Sequence, residues 1–213
     1  MTLQEIIKRC QRRLGETQDG IAGLITWKAV AKAIGADLTE TTADIPLPPE
    51  KEPDGASGAR NQWPREADAA SFYGQSDGSS AWESANLVTF EAPYAMYIDG
   101  QLVRRIRCHK KVEQSLYRIL SAIQRLYKTP EAIKAVGLDQ YDGCYNYRPV
   151  RGGGHLSMHA YGAAVDFDAA HNPLGATHWK MPKEVIDIFK AEGWRWGGDY
   201  TGRKDAMHFE ACR

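Results

Sequence analysis

The chain has 213 residues, of which 27 are Lys or Arg and 27 are Asp or Glu, so its formal net charge is zero. This balance excludes a polybasic protein that binds nucleic acid or a membrane surface through its overall field. Hydrophobic residues make up 43% of the chain, which is typical of a globular protein with a buried core. The length allows one main domain of about 150 residues and a small appendage.

The charge is distributed unevenly along the chain. Residues 1–36 carry six basic and three acidic side chains, residues 37–55 carry one and six, and residues 56–213 carry twenty and eighteen. Such differences between segments indicate a modular chain. We therefore predict a small helical module at residues 1–36, an acidic, Pro-rich linker at residues 37–58 and the main domain at residues 59–213.

The start of the chain and its cysteines bear on the cellular compartment. The first ten residues lack a basic stretch followed by an apolar one, so we expect no secretory signal peptide and synthesis in the cytoplasm. No apolar run approaches the roughly 20 residues that a membrane-spanning helix needs, and we expect no membrane partner. The four cysteines form no CxxC pair, so we expect reduced thiols with a structural role.

The first elements of the main domain are predicted to be strands. Residues 87–90 and 95–98 are rich in β-formers and predict two short strands. Asp99 and Gly100 then form a two-residue turn, and residues 102–108 predict the returning strand. A β-hairpin is therefore expected at this point.

Two amphipathic helices are predicted after the hairpin. The longer one covers residues 110–127, and its expected inward residues are Val112, Leu116, Ile119, Leu120, Ile123 and Leu126. The second covers residues 182–192, with Pro182 suited to its first turn and Gly193 to its end. Strands and helices in this order predict an α+β domain with a small antiparallel sheet and packed helices.

Five of the six histidines lie in the last third of the chain, which directs attention to metal binding. His159 and Gly162 occupy a turn-prone stretch. After them the small or acidic residues Ala164, Asp166 and Asp168 alternate with apolar residues, as in a strand with one buried face. A carboxylate on such a face, beside a preceding histidine, can chelate a divalent ion.

A second pattern lies near the C-terminus. A strand there would place His208 and Glu210 on one face. His159, Asp166 and His208 can then supply three ligands and leave a fourth position to water, which is the arrangement of a catalytic zinc site. Asp205, three residues before His208, is placed to act as the general base.

Several neighbouring residues have alternative interpretations. His155 and Asp168 are rival ligands by proximity, or they lie outside the ligand set. Glu210 either orients a ligand histidine or binds substrate. Trp194 and Trp196 either line a cleft or pack in the core, and core packing is favoured.

These patterns resemble a known family of zinc peptidases. The two motifs are Ser157-x-His159-x-x-Gly162-x-Ala164-x-Asp166 and Asp205-x-x-His208. They are similar to those of the D-alanyl-D-alanine carboxypeptidases, the VanX and VanY dipeptidases and the L-alanyl-D-glutamate endopeptidases of phage lysins. The resemblance extends over roughly residues 87–210.

The resemblance implies one zinc ion per chain, with His159, Asp166 and His208 as its ligands and Asp205 as the general base. Arg148 corresponds to the family's arginine, which polarises the scissile carbonyl or holds a substrate carboxylate. The further candidates for substrate binding are Ser157, Arg151 and Glu210.

The resemblance also implies a function, namely hydrolysis of an amide bond in the stem peptide of bacterial peptidoglycan by a monomeric enzyme. The VanX and VanY branches usually have Glu where this chain has Asp205, which favours the L-alanyl-D-glutamate endopeptidases. A D,D-carboxypeptidase that releases terminal D-alanine is one alternative. A non-catalytic, zinc-containing wall-binding protein is another.

Residues 1–36 have a resemblance of their own. The pattern is Ile7-x-x-x-Gln11-x-x-Leu14-Gly15, followed by Asp19-Gly20-x-x-Gly23-x-x-Thr26 and Ala29. It is similar to a peptidoglycan-binding helical module, which implies the bacterial wall as partner. A wall-binding module, a wall-cutting domain and no expected signal peptide together imply an endolysin that reaches the wall through a holin or upon lysis.

Overall fold

A computed structural model of the chain describes residues 9–10, 12–13, 60–150 and 152–213. The chain divides into two compact units, Met1–Asp54 and Gly55–Arg213. Four residues of the predicted module at residues 1–36 are described, and they are helical and exposed. The rest of that module and the predicted linker at residues 37–58 lie outside the described residues, so the following concerns the second unit.

The predicted hairpin is present. Strand β1, Leu87–Ile98, pairs in antiparallel fashion with strand β2, Gln101–His109. Asp99 and Gly100 between them have φ values of 48° and 76°, which a two-residue hairpin turn requires of both residues. The two short strands predicted before the turn are one strand, whose pairing shifts register midway.

Within the described part of the chain, α-helices occur both before and after the hairpin in the sequence. They are α1 (Ala69–Tyr73), α2 (Ser80–Asn86), α3 (Glu113–Tyr127), α4 (Pro130–Ala135) and α5 (Lys183–Ala191). Helices α3 and α5 correspond to the two predicted amphipathic helices. None of the helices in the described ranges is long and apolar enough to span a bilayer.

One residue of the predicted inward face of α3 points to solvent. Leu126, which was expected to be buried, is 45% exposed. In this last turn of the helix it is the next residue, Tyr127, that reaches α5, because its hydroxyl donates a hydrogen bond of 3.0 Å to Glu184. The five other predicted residues are fully buried.

A second antiparallel sheet has four short strands in the order β3, β4, β6, β5. They are β3 (Tyr141–Gly143), β4 (Ala164–Phe167), β5 (Arg195–Trp196) and β6 (His208–Glu210). Phe167 of β4 and Phe209 of β6 are fully buried, and Phe209 stacks on Phe189 of α5 with 3.8 Å between ring centroids. Small antiparallel sheets with packed helices confirm the predicted α+β class.

A buried carboxylate attaches the segment before α1 to the core. Glu192, just after α5, accepts hydrogen bonds from Arg118 and Ser115 of α3 and from Asn61. Three charge-assisted or polar donors offset the cost of burying this charge. The three cysteines of this unit are buried and free of disulfides.

Candidate metal centre and cleft

Local backbone geometry places His159. It lies in the 3-10 turn Met158–Tyr161. Ser157 caps the start of this turn, because its hydroxyl accepts a hydrogen bond of 3.3 Å from the backbone amide of His159. Gly162 ends the turn with a φ of 65°, in the left-handed region that glycine favours. Strand β4 begins two residues later, so the chain passes directly from the histidine to the sheet.

Strand pairing places the other two predicted ligands. Asp166 of β4 lies directly opposite His208 of β6 in the antiparallel ladder. Side chains of opposite residues project to the same face of a sheet. Two residues that are far apart in sequence are therefore neighbours because of backbone hydrogen bonds alone.

The three side chains converge on one point. His208 Nδ1 lies 2.7 Å from Asp166 Oδ1, His159 Nε2 lies 3.1 Å from Asp166 Oδ2, and the two ring nitrogens are 3.1 Å apart. Donors of a tetrahedral zinc ion with bonds of about 2.0–2.1 Å lie roughly 3.3 Å from one another. Two imidazole nitrogens and a carboxylate at these spacings fit such an ion, and each residue can offer one ligand atom.

Polar contacts on the far side of each ring indicate which nitrogen faces this point. His159 Nδ1 is 2.6 Å from the carbonyl oxygen of Cys144, and His208 Nε2 is 3.3 Å from Glu210 Oε2. A ring N–H donated outward leaves the inner nitrogen as an electron-pair donor. The inner atoms are therefore His159 Nε2 and His208 Nδ1.

The electrostatics of the cluster favour positive charge. Burial would raise the pKa of Asp166, but His208 and His159 hold it below its ordinary value. Burial would lower the pKa of His208, but Asp166 and Glu210 raise it well above the ordinary histidine value. Two carboxylates around two imidazoles thus create a field that attracts a cation.

Asp205 borders the same site. Its backbone carbonyl accepts a hydrogen bond of 3.1 Å from the amide of His208, so a tight turn links the two residues. Its Oδ1 is buried and has no hydrogen-bond partner among the described residues. Burial raises the pKa of Asp205 above its ordinary value and Asp166 adds to the shift, although His208, His159 and Arg148 oppose it. Asp205 thus offers a carboxylate oxygen with unused capacity to take a proton.

The cluster opens into a cleft of about 790 Å³. Asp166, His208 and Asp205 line it. So do three residues predicted to contact substrate, which are Arg148, Ser157 and Glu210. Arg151, the fourth residue predicted to contact substrate, lies outside the described residues.

The two residues that the sequence analysis named as rival metal ligands lie outside the cluster of His159, Asp166 and His208. His155 is exposed and pairs with Glu66 at 3.0 Å, and Asp168 pairs with His171 at 2.7 Å. Neither belongs to the converging group. Trp194 and Trp196 are buried in the core, which is the favoured prediction for both.

The structure adds participants that the sequence did not indicate. Arg195 and Tyr200 both donate hydrogen bonds to Glu210. Arg195 lies between two tryptophans, and only the pairing of β5 with β6 brings it opposite Glu210. No local motif could have connected these residues, because the contact depends on the order of strands in the sheet.

Comparison with known proteins gives one family match. Residues 151–211 match the family described as D-alanyl-D-alanine carboxypeptidase. The matched stretch contains His159, Asp166, Asp205 and His208, whereas Arg148 precedes it. No solved structure matches significantly. The resemblance predicted from the sequence is thus confirmed over residues 151–211, where the chain is similar to a peptidase family.

Proposed function

We propose that the chain is a zinc metallopeptidase that hydrolyses an amide bond in the stem peptide of bacterial peptidoglycan, with His159, Asp166 and His208 as the ligands of one zinc ion. One observation carries the proposal. The ring nitrogens of His159 and His208 lie 3.1 Å apart, and each lies within 3.1 Å of a carboxylate oxygen of Asp166, beside the unpartnered carboxylate oxygen of Asp205 in an open cleft. The match to a peptidase family supports the same conclusion.

The chemistry that a zinc ion supplies when bound is the acidification of a water and the polarisation of a carbonyl oxygen. Asp205 accepts the proton of the attacking water at Oδ1. It then donates that proton to the nitrogen of the leaving amine as the amide bond breaks. The guanidinium of Arg148 stabilises negative charge on the carbonyl oxygen or holds a substrate carboxylate, which are the two roles open to a cation in this position.

We further propose cleavage between L-alanine and D-glutamate, as in the endopeptidases of phage lysins, since this chain has Asp205 where the VanX and VanY branches usually have Glu. The test is to incubate the protein with defined muropeptides and identify the products by mass. New L-alanine C-termini support the endopeptidase, whereas free D-alanine supports a D,D-carboxypeptidase. The Asp205→Asn variant serves as the inactive control. If zinc-loaded protein hydrolyses nothing, the non-catalytic wall-binding alternative is favoured.

A wall-binding role for residues 1–36 is part of the same proposal. Its support is the resemblance to a peptidoglycan-binding module and the net charge of +3 on this segment, which suits an anionic wall. The full chain should sediment with insoluble peptidoglycan, and a chain that starts at residue 59 should remain in solution. Equal sedimentation of the two would contradict the role.

A further inference from the structure

We propose that Glu210 is a positioning residue that orients His208 for the metal ion, and that it does not bind substrate. The inference rests on the proposed metal site and extends it beyond the three ligands. Two successive ion pairs connect Glu210 to Arg195 and Arg195 to Glu66, which lies at the surface.

Both carboxylate oxygens of Glu210 are already engaged. Arg195 Nε donates to Oε1 at 2.7 Å, and the hydroxyl of Tyr200 donates to the same oxygen. The other oxygen, Oε2, lies 3.3 Å from His208 Nε2. The side chain of Glu210 is only 4% exposed, although it borders the cleft. A substrate group would therefore meet a carboxylate that is almost fully buried and already has a partner at each oxygen.

The contact of Glu210 with His208 determines how the imidazole ring of His208 is oriented. The ring lies between two carboxylates, with Nδ1 at 2.7 Å from Asp166 and Nε2 at 3.3 Å from Glu210. With Glu210 accepting from Nε2–H, the lone pair of Nδ1 points to the place where His159 and Asp166 meet. A carboxylate behind a ligand histidine fixes the tautomer and the orientation of the ring.

Glu66 helps to position Arg195, and Arg195 in turn positions Glu210. Arg195 Nη2 lies 2.8 Å from Glu66 Oε2, and Glu66 Oε1 lies 3.0 Å from His155 Nε2. Glu66 precedes α1 in a short segment that is itself anchored, because the amide of Arg213 donates to the carbonyl of Pro64 at 2.9 Å. A segment outside the family match at residues 151–211 therefore contributes to the metal site.

The test measures metal affinity in the full chain. Zn²⁺ and Co²⁺ dissociation constants are obtained by competition with a chelating indicator, and the visible spectrum of the Co²⁺ form reports ligand geometry. Glu210→Gln keeps the shape and removes the charge, so we expect affinity to fall about 10- to 100-fold, with altered Co²⁺ bands. Glu66→Gln, at a side chain that is 38% exposed, should give a smaller loss in the same direction.

A matched control is present in the same domain. Glu83 also accepts hydrogen bonds from an arginine and a tyrosine, Arg107 and Tyr145, but it contacts no ligand histidine. Glu83→Gln should therefore leave metal affinity and the Co²⁺ spectrum unchanged. A loss of affinity in this control as large as that in Glu210→Gln would show a general effect of charge removal and overturn the proposal.

The remaining outcomes separate this inference from the proposed function. If the wild-type chain binds zinc and hydrolyses muropeptides while Glu210→Gln binds zinc equally well and raises KM, Glu210 is a substrate residue and only this inference fails. If the wild-type chain binds no zinc, both fail. Should Glu210→Gln not fold, Glu66→Gln decides, and unchanged metal affinity in that variant overturns the proposal.

Discussion

At the scale of single residues, Asp205 separates catalysis from metal binding. It borders the cleft beside His208, yet it is not among the atoms that converge at the candidate metal site. Its role in the proposal is to move a proton, and removing a general base typically lowers turnover by about 10²–10⁴-fold. Structural integrity and zinc content do not depend on that step.

We therefore predict that Asp205→Asn lowers kcat by at least about 100-fold while the zinc content per chain stays at the wild-type value. Muropeptide hydrolysis and elemental analysis are the two measurements. Asp187→Asn, on the exposed side of α5 where Asp187 pairs with Lys183, is the control and should retain activity. Substantial turnover in Asp205→Asn would remove the residue from the mechanism.

His109 illustrates a buried histidine with a structural role. Its Nδ1 accepts a hydrogen bond from the amide of Lys111 at 3.1 Å, and its Nε2 donates to the carbonyl of Tyr73 at 3.0 Å. Burial lowers the pKa of His109 to about 4, and the cationic side chains of Lys111 and Lys110 contribute. A second ring proton would face the amide of Lys111, so the folded protein keeps this ring neutral.

The sign of the resulting pH dependence follows from proton binding. Between about pH 6.5 and pH 4 the unfolded chain binds a proton at His109 and the folded chain does not, so the free energy of unfolding falls as the pH falls. We expect a loss of about 2 kcal/mol between pH 7.5 and pH 5, measured by urea unfolding with a chelator present. In His109→Gln this part of the loss should disappear. In the control His178→Gln, at an exposed loop histidine, it should persist.

At this scale, sequence reasoning identified residue types better than atoms. The alternation after Gly162 and the position of His208 directed attention to His159, Asp166 and His208, whose side chains lie close together in the structure. Which ring nitrogen faces inward could not be predicted, since it depends on the carbonyl of Cys144 and on Glu210. Those contacts are set by how distant segments pack.

At the scale of elements, the structure has one strand, β1, where two short strands were predicted, and the cause is local. Two short strands were predicted at residues 87–90 and 95–98, and the pairing of β1 with β2 does shift register between Glu91 and Met96, on either side of Pro93. Proline cannot donate to a ladder, so it favours such irregularities. The strand remains extended beyond the shift, where the amide of Tyr97 also donates to the carbonyl of Asp139 at 2.7 Å. That contact comes from a distant segment.

Gly162, at the junction between the turn that carries His159 and strand β4, leaves no room for a larger residue. It has a φ of 65°, and an added Cβ would lie 2.9 Å from the amide nitrogen of His109 and 2.9 Å from a side-chain carbon of Leu87. Both the conformation and the space therefore require glycine. The turn that carries His159 is packed directly against the end of the hairpin as a result.

We predict that Gly162→Ala lowers the free energy of unfolding by about 3 kcal/mol, since backbone strain and overpacking add. Gly100→Ala is the matched control, because Gly100 has a φ of 76° but an added Cβ there would meet nothing within 4 Å. That variant should lose only about 1 kcal/mol. Denaturant unfolding of the two measures the difference, and equal losses would show that the close packing at Gly162 contributes nothing.

At the scale of the whole molecule, the cluster of His159, Asp166 and His208 brings together side chains from three elements. It links the turn before β4, strand β4 and strand β6. Glu210, Arg195 and Glu66 extend the connection to the segment before α1. An ion bound at this point stabilises the folded state and not the unfolded chain, so its binding free energy adds to stability.

We therefore predict that a chelator lowers the thermal midpoint of the Gly55–Arg213 unit. Zinc at about 1,000 times its dissociation constant adds about 4 kcal/mol, which corresponds to roughly 10 °C for a domain of this size. Tryptophan fluorescence is a suitable probe because five of the six tryptophans lie in this unit. Adding Zn²⁺ back should restore the midpoint, whereas Mg²⁺ should not, because Mg²⁺ prefers oxygen ligands and the site offers two imidazoles. His159→Ala should melt at the same temperature with and without chelator. If the chelator still lowers the melting temperature of this variant, the stabilising ion is bound somewhere other than at His159, Asp166 and His208.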